Sequence, residues 1–595
     1  MKKEFQDVID KKFTPRLEEG TGKLCDLRSA VARQVKPGMM LYFPFSQIRC
    51  PSGAVHEIIR QFWGQKSDFV IASLAVNYPL LIMIHGGLVR KVISGACGDG
   101  YYSPAPSPIC QRAFEANGVE IENCSLFTYT QRMHAGAMGL PFMPSKSLMG
   151  SSIYEEDKDN VHIIDDPFGS GQKLSLVKAI RPDLAVVHVP AADPYGNAIY
   201  PPPLGDNLYG ALGSKHGVLL TADRIVHPDL IREYSSFVKL PDYMVNSVSE
   251  VPMGAHPGGI YNPGINGFHG YTEDYDFFAE AHEVSKDPDK LDNWIKEWIL
   301  DCKEQSDYLN KLGHTRIRFL KGKGQPDSWR YELENVSDSL DSGGEYNPVE
   351  MMIIIASRKL AEKVMQKDYR IVLGGGGLSF ISAAMATYAL AGEKEDISMV
   401  VETGLIGILP RPTEPHLLSH LYFPTCKMLT DIDTTMGIIM GGANSRCIGS
   451  LAAAEVDKHG NINTTRTSAK ELFIIGSGGS SDVCSAAREV VVTISQSRHR
   501  FLDEVSYITS PGQAVKTVVS TLGVFEKLGE DDELTLTGYF PDAKLLTADK
   551  IISNIKTHCG WDLKVASNAA EISQPSLEEL RTLRLLDAHR YYIGK

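Results

Sequence analysis

The residue best placed for chemistry in this sequence is Glu402, which follows an apolar run ending at Val401 and precedes Thr403 and Gly404. An unpaired carboxylate among apolar side chains costs several kcal/mol unless it is hydrogen-bonded or neutralised. A carboxylate can attack an acyl thioester and form a mixed anhydride, which divides a difficult transfer into easier covalent steps. Its ordinary pKa of about 4.3 keeps it ionised near neutral pH, whereas apolar neighbours raise the pKa. We therefore expect the amide N–H groups that follow Glu402 to donate hydrogen bonds to the carboxylate.

Three glycine-rich stretches each follow an apolar run that is expected to be a strand. They are residues 374–377, which include Gly375, Gly376 and Gly377, residues 476–479, which include Gly478 and Gly479, and residues 94–100. Exposed backbone N–H groups at the start of a helix favour anions such as a phosphate or a developing oxyanion. The alternative for any one stretch is a tight turn alone. Three such stretches in one chain favour a ligand or substrate site.

The first glycine stretch also permits a dinucleotide interpretation. Gly374, Gly376 and Ser379 nearly complete the pattern G-x-G-x-x-G, and an acidic residue at the end of the next strand then binds a ribose. Glu402 stands where that acid is expected. Because the last position is a serine, the fingerprint is partial, and a nucleotide-binding oxidoreductase stays open as an alternative.

The elements that position these residues have an α/β pattern. In the second half, helices are predicted over 351–366 and 379–391 and strands over 369–373 and 396–401. A strand, glycine turn, helix and strand form a βαβ unit, whose buried parallel strands are continuous apolar runs. The first half repeats the pattern, with strands predicted over 39–43 and 68–73 and a helix over 53–63.

A short repeat indicates that the two halves are related. The pattern Asp-x-x-Gly-Asn occurs from Asp193 to Asn197 and again from Asp457 to Asn461, each time after an apolar run. The polar, Gly- and Asp-rich residues 321–350 suggest a linker. We predict a duplicated pair of α/β domains, residues 1–320 and 351–595, with a ligand site in the cleft between them.

Composition excludes several classes of function. The chain has 595 residues, a net charge of -13 and 43% hydrophobic residues, which fits a soluble protein of at least two domains. This charge does not attract nucleic acid or anionic lipid, and no run of about 18 apolar residues is present for a membrane span. The basic start lacks an apolar signal region, and the ten cysteines occur singly, so we expect free thiols in the cytoplasm. Neither HExxH nor paired Cys/His spacing occurs, so we expect no metal.

Several segments together resemble the family I CoA-transferases, in particular the glutaconate CoA-transferase type with its alpha and beta subunits fused in one chain. The second half has the strand-end sequence VETG around Glu402, followed in family order by the segments 457–465, 476–479 and 499–512. In the first half, residues 134–144, 254–257 and 293–316 are similar to the family's alpha subunit. The turn at 42–46 departs from the family, because it has Pro and Phe where glycines are usual.

The resemblance implies two related open α/β domains in tandem, with the active site at their interface. It implies a ping-pong CoA transfer from an acyl-CoA to a small carboxylic acid, through a glutamyl-CoA thioester on Glu402. Gly478 and Gly479 are then candidates for backbone contact near the thioester, with Gly375, Gly376 and Gly377 around the same pocket. CoA thioesters are substrates here, and no tightly bound cofactor or metal is expected. The fused chain is expected to form a homo-oligomer.

Two alternatives on the same scaffold remain. One is a hydrolase that opens thioesters or rings, and the other is an inactive relative that only binds CoA esters; the presence of Glu402 favours transfer. His134 and His256 are candidates for orienting a substrate carboxylate, although a lone histidine among small apolar residues is more often structural. The bulky turn at 42–46 either shapes the acyl pocket or is only a packed turn.

Overall fold

The fold is that of a computed structural model, which describes residues 1–13, 21–44, 46–100, 105–394, 396–414, 416–467, 472–529, 532–542, 544–545 and 547–594. The strands of the first domain are β1 (Met40–Phe43), β2 (Phe69–Ser73), β3 (Ala75–Val76), β4 (Val89–Ser94), β5 (Ala96–Cys97), β6 (Glu120–Asn123), β7 (Phe142–Ser145), β8 (Val161–Asp165), β9 (Lys173–Lys178), β10 (Leu184–Ala192), β11 (Ala198–Ile199), β12 (Val218–Ile225) and β13 (Val245–Glu250). The strands of the second domain are β14 (Ile371–Gly374), β15 (Ser398–Val401), β16 (Leu405–Ile406), β17 (Met428–Leu429), β18 (Cys447–Ala452), β19 (Glu455–Asp457), β20 (Ile462–Asn463), β21 (Glu489–Ile494), β22 (Phe501–Leu502), β23 (Val515–Ser520), β24 (Gly523–Lys527), β25 (Leu534–Tyr539) and β26 (Val565–Glu571).

Helices surround both sheets. Those before the second sheet are α1 (Lys3–Lys12), α2 (Leu27–Gln34), α3 (Ser46–Arg49), α4 (Ser52–Phe62), α5 (Leu80–His85), α6 (Pro108–Glu115), α7 (Leu126–Met138), α8 (Ser152–Glu156), α9 (Tyr209–Leu212), α10 (Pro228–Glu233), α11 (Tyr275–Ser285), α12 (Pro288–Ile295), α13 (Gln305–Leu312), α14 (His314–Lys323) and α15 (Ser328–Val336). Those of the second domain are α16 (Pro348–Gln366), α17 (Leu378–Leu390), α18 (Ser480–Ala486), α19 (Ala548–Thr557) and α20 (Leu577–Leu586). No helix among the described residues is long and apolar enough to cross a membrane.

The sequence accounts for these elements locally. The central strands β10 and β21 are mostly apolar and every residue in them is buried, as expected for parallel strands covered on both faces. Helix α16 begins with a capping box formed by Asn347 and Glu350, and Pro348 occupies its first turn, where the missing N–H does no harm.

The two main sheets share one strand order. The first contains the order β13-β12-β10-β1-β2 and the second contains the order β23-β21-β18-β14-β15, and these neighbours pair in parallel. Both sheets also have an irregularity at the same place, between Val218 and Leu219 in β12 and between Val490 and Val491 in β21. The chain therefore consists of two related α/β domains, as predicted.

The shared register shows which residues of the two domains correspond. Val218 pairs with Ala185, and Ala185 pairs with Tyr42. In the second domain Val490 pairs with Gly449, and Gly449 pairs with Leu373, so Tyr42 corresponds to Leu373. On the next strand Tyr42 faces Ala72 and Leu373 faces Val400. Two residues further along, Leu74 therefore corresponds to Glu402, and the turn after Phe43 corresponds to the glycine stretch 374–377.

The repeated Asp-x-x-Gly-Asn turns have the same hydrogen bonds. Asp193 accepts from the amides of Tyr195 and Asn197 at 2.9 and 3.0 Å, and Asp457 accepts from the amides of His459 and Asn461 at the same distances. The asparagine side chains also donate to the aspartates, at 2.8 Å in the first domain and 2.9 Å in the second. The matching hydrogen bonds of the two turns support a duplication of the domain.

The strands and helices predicted around Glu402 and in the first βαβ unit are present, with ends that differ by a few residues. The apolar run 472–475 is a correction, because it is not a strand: Phe473 makes an isolated bridge with Arg466, and the carbonyl of Ile475 accepts a hydrogen bond from the first domain. The stretch predicted as a linker contains helix α15 and the 3-10 turn Ser337–Ser339. The division of the chain at 321–350 stays a prediction.

Candidate active site

Glu402 lies in a tight turn between two antiparallel strands. Strand β15 ends at Val401, which pairs with Leu405 at the start of β16. Gly404 closes the turn with a φ of 112°, and a Cβ atom there would lie 2.3 Å from the carbonyl oxygen of Thr430. Only glycine fits this position, so the backbone places the side chain of Glu402 at the carboxyl end of the sheet.

The carboxyl group of Glu402 has few hydrogen bonds to offset the cost of its burial. Burial, together with the smaller effect of the negative charge of Asp482, raises its pKa to about 7, although a hydrogen bond from the backbone of Glu402 itself acts to lower it. Oxygen Oε2 has no hydrogen-bond partner among the described residues. The expectation that the following amides would hold the carboxylate is therefore wrong: the amide of Gly404 donates instead to the carbonyl of Val401 at 3.3 Å, which closes the turn. Oxygen Oε2 is therefore a buried acceptor whose hydrogen-bonding capacity is unused within the described residues.

A cavity of about 1170 Å³ opens beside Glu402, and both domains line it. The first domain contributes Ala75, Val76, Ala96 and Leu126, which make an apolar wall. The second contributes all five glycines predicted for the site, namely Gly375, Gly376, Gly377, Gly478 and Gly479. A cavity at a domain interface that combines apolar walls with a few polar groups is typical of a substrate site.

The glycine stretch 374–377 forms the turn between β14 and α17. Gly375 donates to the carbonyl of Ser450 at 2.9 Å. Gly377 has φ 77° and ψ −137°, a conformation that is essentially restricted to glycine, and it directly precedes helix α17. Within the described residues, the amides of Gly376 and Gly377 donate to no protein acceptor. These amides are available to an anionic group in the cavity.

The other two glycine stretches lie against each other across the domain interface. Cys97 donates to the carbonyl of Ile475 and Gly478 donates to the carbonyl of Gly95, both at 2.8 Å. Leu126 then donates to the carbonyl of Gly478 at 3.0 Å. A Cβ atom on Gly479 would lie 3.5 Å from Cγ of Glu402, so this backbone lies beside the acid.

Sequence reasoning assigned no role to Asp482, which is fully buried near Glu402. Its carboxylate accepts from the Ser125 hydroxyl at 2.6 Å and from the amide of Phe127 at 3.0 Å, both in the first domain. Burial raises its pKa to about 6. The sequence feature that could have identified Asp482 is a carboxylate three residues after a glycine stretch, at the start of a helix.

The cavity wall also contains basic residues of the segment 499–512, to which sequence reasoning gave no individual role. Among the described charged residues that line it, Asp99, Glu402 and Glu455 are acidic, and His499 and Arg500 are basic. His499 and Arg500 are exposed in the turn between β21 and β22, and Val456 donates to the carbonyl of Arg500 at 2.8 Å. The turn therefore presents these side chains from a fixed backbone.

The two candidate histidines lie outside the cavity lining. His256 is buried and contacts the Tyr308 hydroxyl at 2.6 Å and Asp274 at 3.0 Å, which is a structural network. His134 stacks on Tyr209, with ring centroids 4.0 Å apart, and contacts Asp433 at 3.1 Å. Neither histidine lines the cavity with Glu402.

The turn at 42–46 is also a packed element where it is described. Tyr42 is fully buried and donates to Asp206 at 2.7 Å. Tyr42 and Phe43 do not line the cavity, and Phe45 lies outside the described residues. The described part of the turn therefore supports the packing interpretation. Among the described residues no cluster of three or more His, Cys, Asp or Glu side chains could hold a metal ion.

Comparisons with known proteins show which family the chain resembles. Residues 26–250 match the sequence profile of the family described as Coenzyme A transferase. The chain is 30% identical over 294 residues to one subunit of the 3-oxoadipate CoA-transferase of Pseudomonas knackmussii, covering 49% of this chain and 98% of that subunit. It is 26% identical over 261 residues to the other 3-oxoadipate CoA-transferase subunit from the same organism, covering 41% and 94%. Each of these subunits thus matches a little under half of this single chain.

Two further proteins are similar. One of the glutaconate CoA-transferase subunits of Acidaminococcus fermentans is 29% identical over 314 residues, covering 50% of this chain and 94% of its own length. The crystal structure of an acyl-CoA transferase from Escherichia coli O157:H7, in a thioester complex with CoA, has a TM-score of 0.64. The alignment covers 94% of this chain and 96% of the chain in that structure, at 16% identity. At that identity the likeness supports the tandem two-domain fold.

Proposed function

The chain belongs to the coenzyme A transferase family and is an enzyme that transfers CoA; from that premise we propose that it works by a ping-pong mechanism with Glu402 as the covalent nucleophile. The observation that supports this role is the position of Glu402. It lines the cavity shared by both domains, with oxygen Oε2 unpaired among the described residues and Gly479 beside it.

The proposed reaction has two balanced halves. A carboxylate oxygen of Glu402 attacks the thioester carbonyl of an acyl-CoA, and the C–S bond breaks to give an acyl-glutamyl anhydride and CoA thiolate. The thiolate then attacks the glutamyl carbonyl of the anhydride, which releases the free carboxylate product and leaves a glutamyl-CoA thioester. A second carboxylic acid reverses these steps and leaves as the new acyl-CoA, while Glu402 is regenerated.

The chain supplies two aids to this chemistry. Each attack places negative charge on a carbonyl oxygen, and the amides of Gly376, Gly377 and Gly479 line the cavity where such an oxyanion would form. Anhydride formation is uphill, so binding energy from the remote part of CoA has to offset it. We place the phosphates of CoA at Arg500, with His499 beside it, because Arg500 is the cationic side chain among the described residues of the cavity wall.

The substrates in this proposal are an acyl-CoA and a small carboxylic acid, with no tightly bound cofactor. Apolar residues such as Ala75, Val76 and Leu126 line the first-domain wall, which suits an acyl chain. The homo-oligomeric state and the cytoplasmic location stay predictions from the sequence.

The experiment is to incubate the protein with a panel of acyl-CoA thioesters of mono- and dicarboxylic acids and to measure intact mass. The proposal expects a CoA adduct that maps to Glu402 and is absent in Glu402→Gln. A hydrolase would instead release free CoA thiol without an acceptor acid and without an adduct. Undiminished CoA transfer by Glu402→Gln would rule out the nucleophile.

A further inference from the structure

Asp482 is a buried carboxylate of the second domain whose hydrogen bonds come from the first domain. It is fully buried, and its two oxygens accept from the Ser125 hydroxyl at 2.6 Å and from the Phe127 amide at 3.0 Å. The nearby Ser147 hydroxyl also favours its ionised form. A buried charge of this kind is tolerated only when it is hydrogen-bonded, so these contacts require the two domains to be docked.

The donors belong to the beginning of helix α7. Ser125 is its N-cap residue, and the Ser125 hydroxyl accepts from the amide of Thr128 at 3.1 Å while it donates to Asp482. The amide of Phe127 is one of those that have no partner within the helix. Asp482 therefore completes the cap of a first-domain helix, where a negative charge is also favoured by the helix dipole.

This cap is continuous with the backbone beside Glu402. Leu126 donates to the carbonyl of Gly478, and Gly478 donates to the carbonyl of Gly95. Gly479 follows directly and lies against Cγ of Glu402. The segment from Gly478 to Asp482 is thus attached to the first domain at both ends. Between these two attachments, Gly479 lies against Glu402.

We propose that Asp482 is a positioning residue for CoA transfer: by capping helix α7 across the domain interface, it holds the backbone of Gly478 and Gly479 beside Glu402. This inference rests on the proposed role of Glu402 as nucleophile. Asp482 has a second effect through its charge, because it opposes ionisation of Glu402. The other carboxylates and basic side chains that line the cavity, within the described residues, are Asp99, Glu455, His499 and Arg500, and Asp99 is paired with His282.

The two effects are separated by three variants. Asp482→Asn removes the charge and keeps the shape, Ser125→Ala removes one donor and keeps the carboxyl group, and Asp457→Asn is the matched control. Asp457 is also buried in the second domain, but it accepts from the amides of its own turn, His459 and Asn461. Circular dichroism and thermal unfolding first establish that each variant is folded.

The measurement is the rate at which an acyl-CoA forms the CoA adduct on Glu402, as a function of pH. For Asp482→Asn we expect the acidic midpoint to move down by about half a pH unit, because a like charge beside the nucleophile is removed. Its maximum rate should fall about tenfold, since a looser backbone misplaces the reacting groups. Ser125→Ala should lower the maximum rate a few-fold and move the midpoint less than Asp482→Asn does, because a weaker donor set reduces the charge of Asp482 only in part, and Asp457→Asn should change neither.

A folded Asp482→Asn variant with the midpoint and maximum rate of the wild type overturns the inference. A midpoint shift of equal size in Ser125→Ala also overturns it, because that variant keeps the carboxyl group of Asp482. Mapping the adduct in the wild type separates the two hypotheses. Absence of an adduct on Glu402 there refutes the proposed function, whereas an adduct that is insensitive to Asp482→Asn refutes only the positioning role.

Discussion

Leu74 occupies in the first domain the position that Glu402 occupies in the second. Both residues directly follow the strand that pairs with the first strand of their domain, in the same register. Leu74 is fully buried, and its carbonyl accepts from the amide of Gly95. The duplicated fold therefore carries a single acid of this kind, and the first domain contributes an apolar wall instead.

Leu74→Glu should destabilise the protein rather than create a second site. A carboxylate at this fully buried position has no partner, so we expect the free energy of unfolding to fall by about 3 kcal/mol or more. Leu74→Met is the control and should cost less than about 1.5 kcal/mol. Denaturant unfolding at pH 8 measures both. A stable Leu74→Glu protein that acquires a second CoA adduct would contradict this prediction.

Glu402→Gln should stabilise the protein in a pH-dependent manner. The pKa of Glu402 is about 7 in the folded state, above its ordinary value, so the folded protein retains a proton that the unfolded chain has lost. The ionised carboxylate therefore destabilises the fold fully above pH 7, and the effect disappears as the pH falls to about 4.5. At pH 8 we expect Glu402→Gln to be more stable than the wild type by up to about 3 kcal/mol.

The check on Glu402→Gln is denaturant unfolding at pH 8 and at pH 4.5, with Glu334→Gln as control. Glu334 is exposed in helix α15, so its substitution should change stability little at either pH. The same advantage of Glu402→Gln at both pH values would show that the pKa of Glu402 is not raised.

Gly404→Ala should damage both stability and transfer. A methyl group there would lie 2.3 Å from the Thr430 carbonyl oxygen, and φ is 112°, so the turn that holds Glu402 must shift. We expect a loss of about 2 to 4 kcal/mol and a fall in kcat of at least about tenfold. Gly392→Ala has a similar φ of 89° with nothing within 4 Å, and should cost about 1 kcal/mol and leave kcat unchanged. Equal effects of the two variants would exclude a special role for the Gly404 contact.

Arg500→Gln should weaken binding of acyl-CoA without slowing the chemistry. If Arg500 contacts a phosphate of CoA, KM for acyl-CoA should rise about tenfold, kcat should change little, and the salt dependence of KM should decrease. Arg446→Gln removes an exposed arginine that is paired with Asp368 and does not line the cavity, so it is the control. Steady-state kinetics at two ionic strengths measure KM and its salt dependence. An unchanged KM for Arg500→Gln would place the phosphates elsewhere.

Much of the local structure could be predicted because it depends on nearby residues. The apolar runs of β14 and β15, the helix between them and the turn at Gly404 follow from periodicity and from glycine conformations. The repeated turns at Asp193 and Asp457 were visible as a pattern and proved to share their hydrogen bonds. The run 472–475 was the exception, because its hydrogen bonds go to another segment of the chain and to the first domain.

The sequence by itself therefore determined the α/β class and indicated the duplication, and it singled out Glu402 and five glycines as candidates for the site. Only the tertiary structure decided which hydrogen bonds and which charged side chains surround those groups. The unpaired oxygen of Glu402, the cap that Asp482 provides to helix α7 and the presence of Arg500 on the cavity wall all join residues distant in sequence. The physical reason is that burial and charge act through space, and the contacts across the domain interface leave no period or spacing in the sequence that could reveal them.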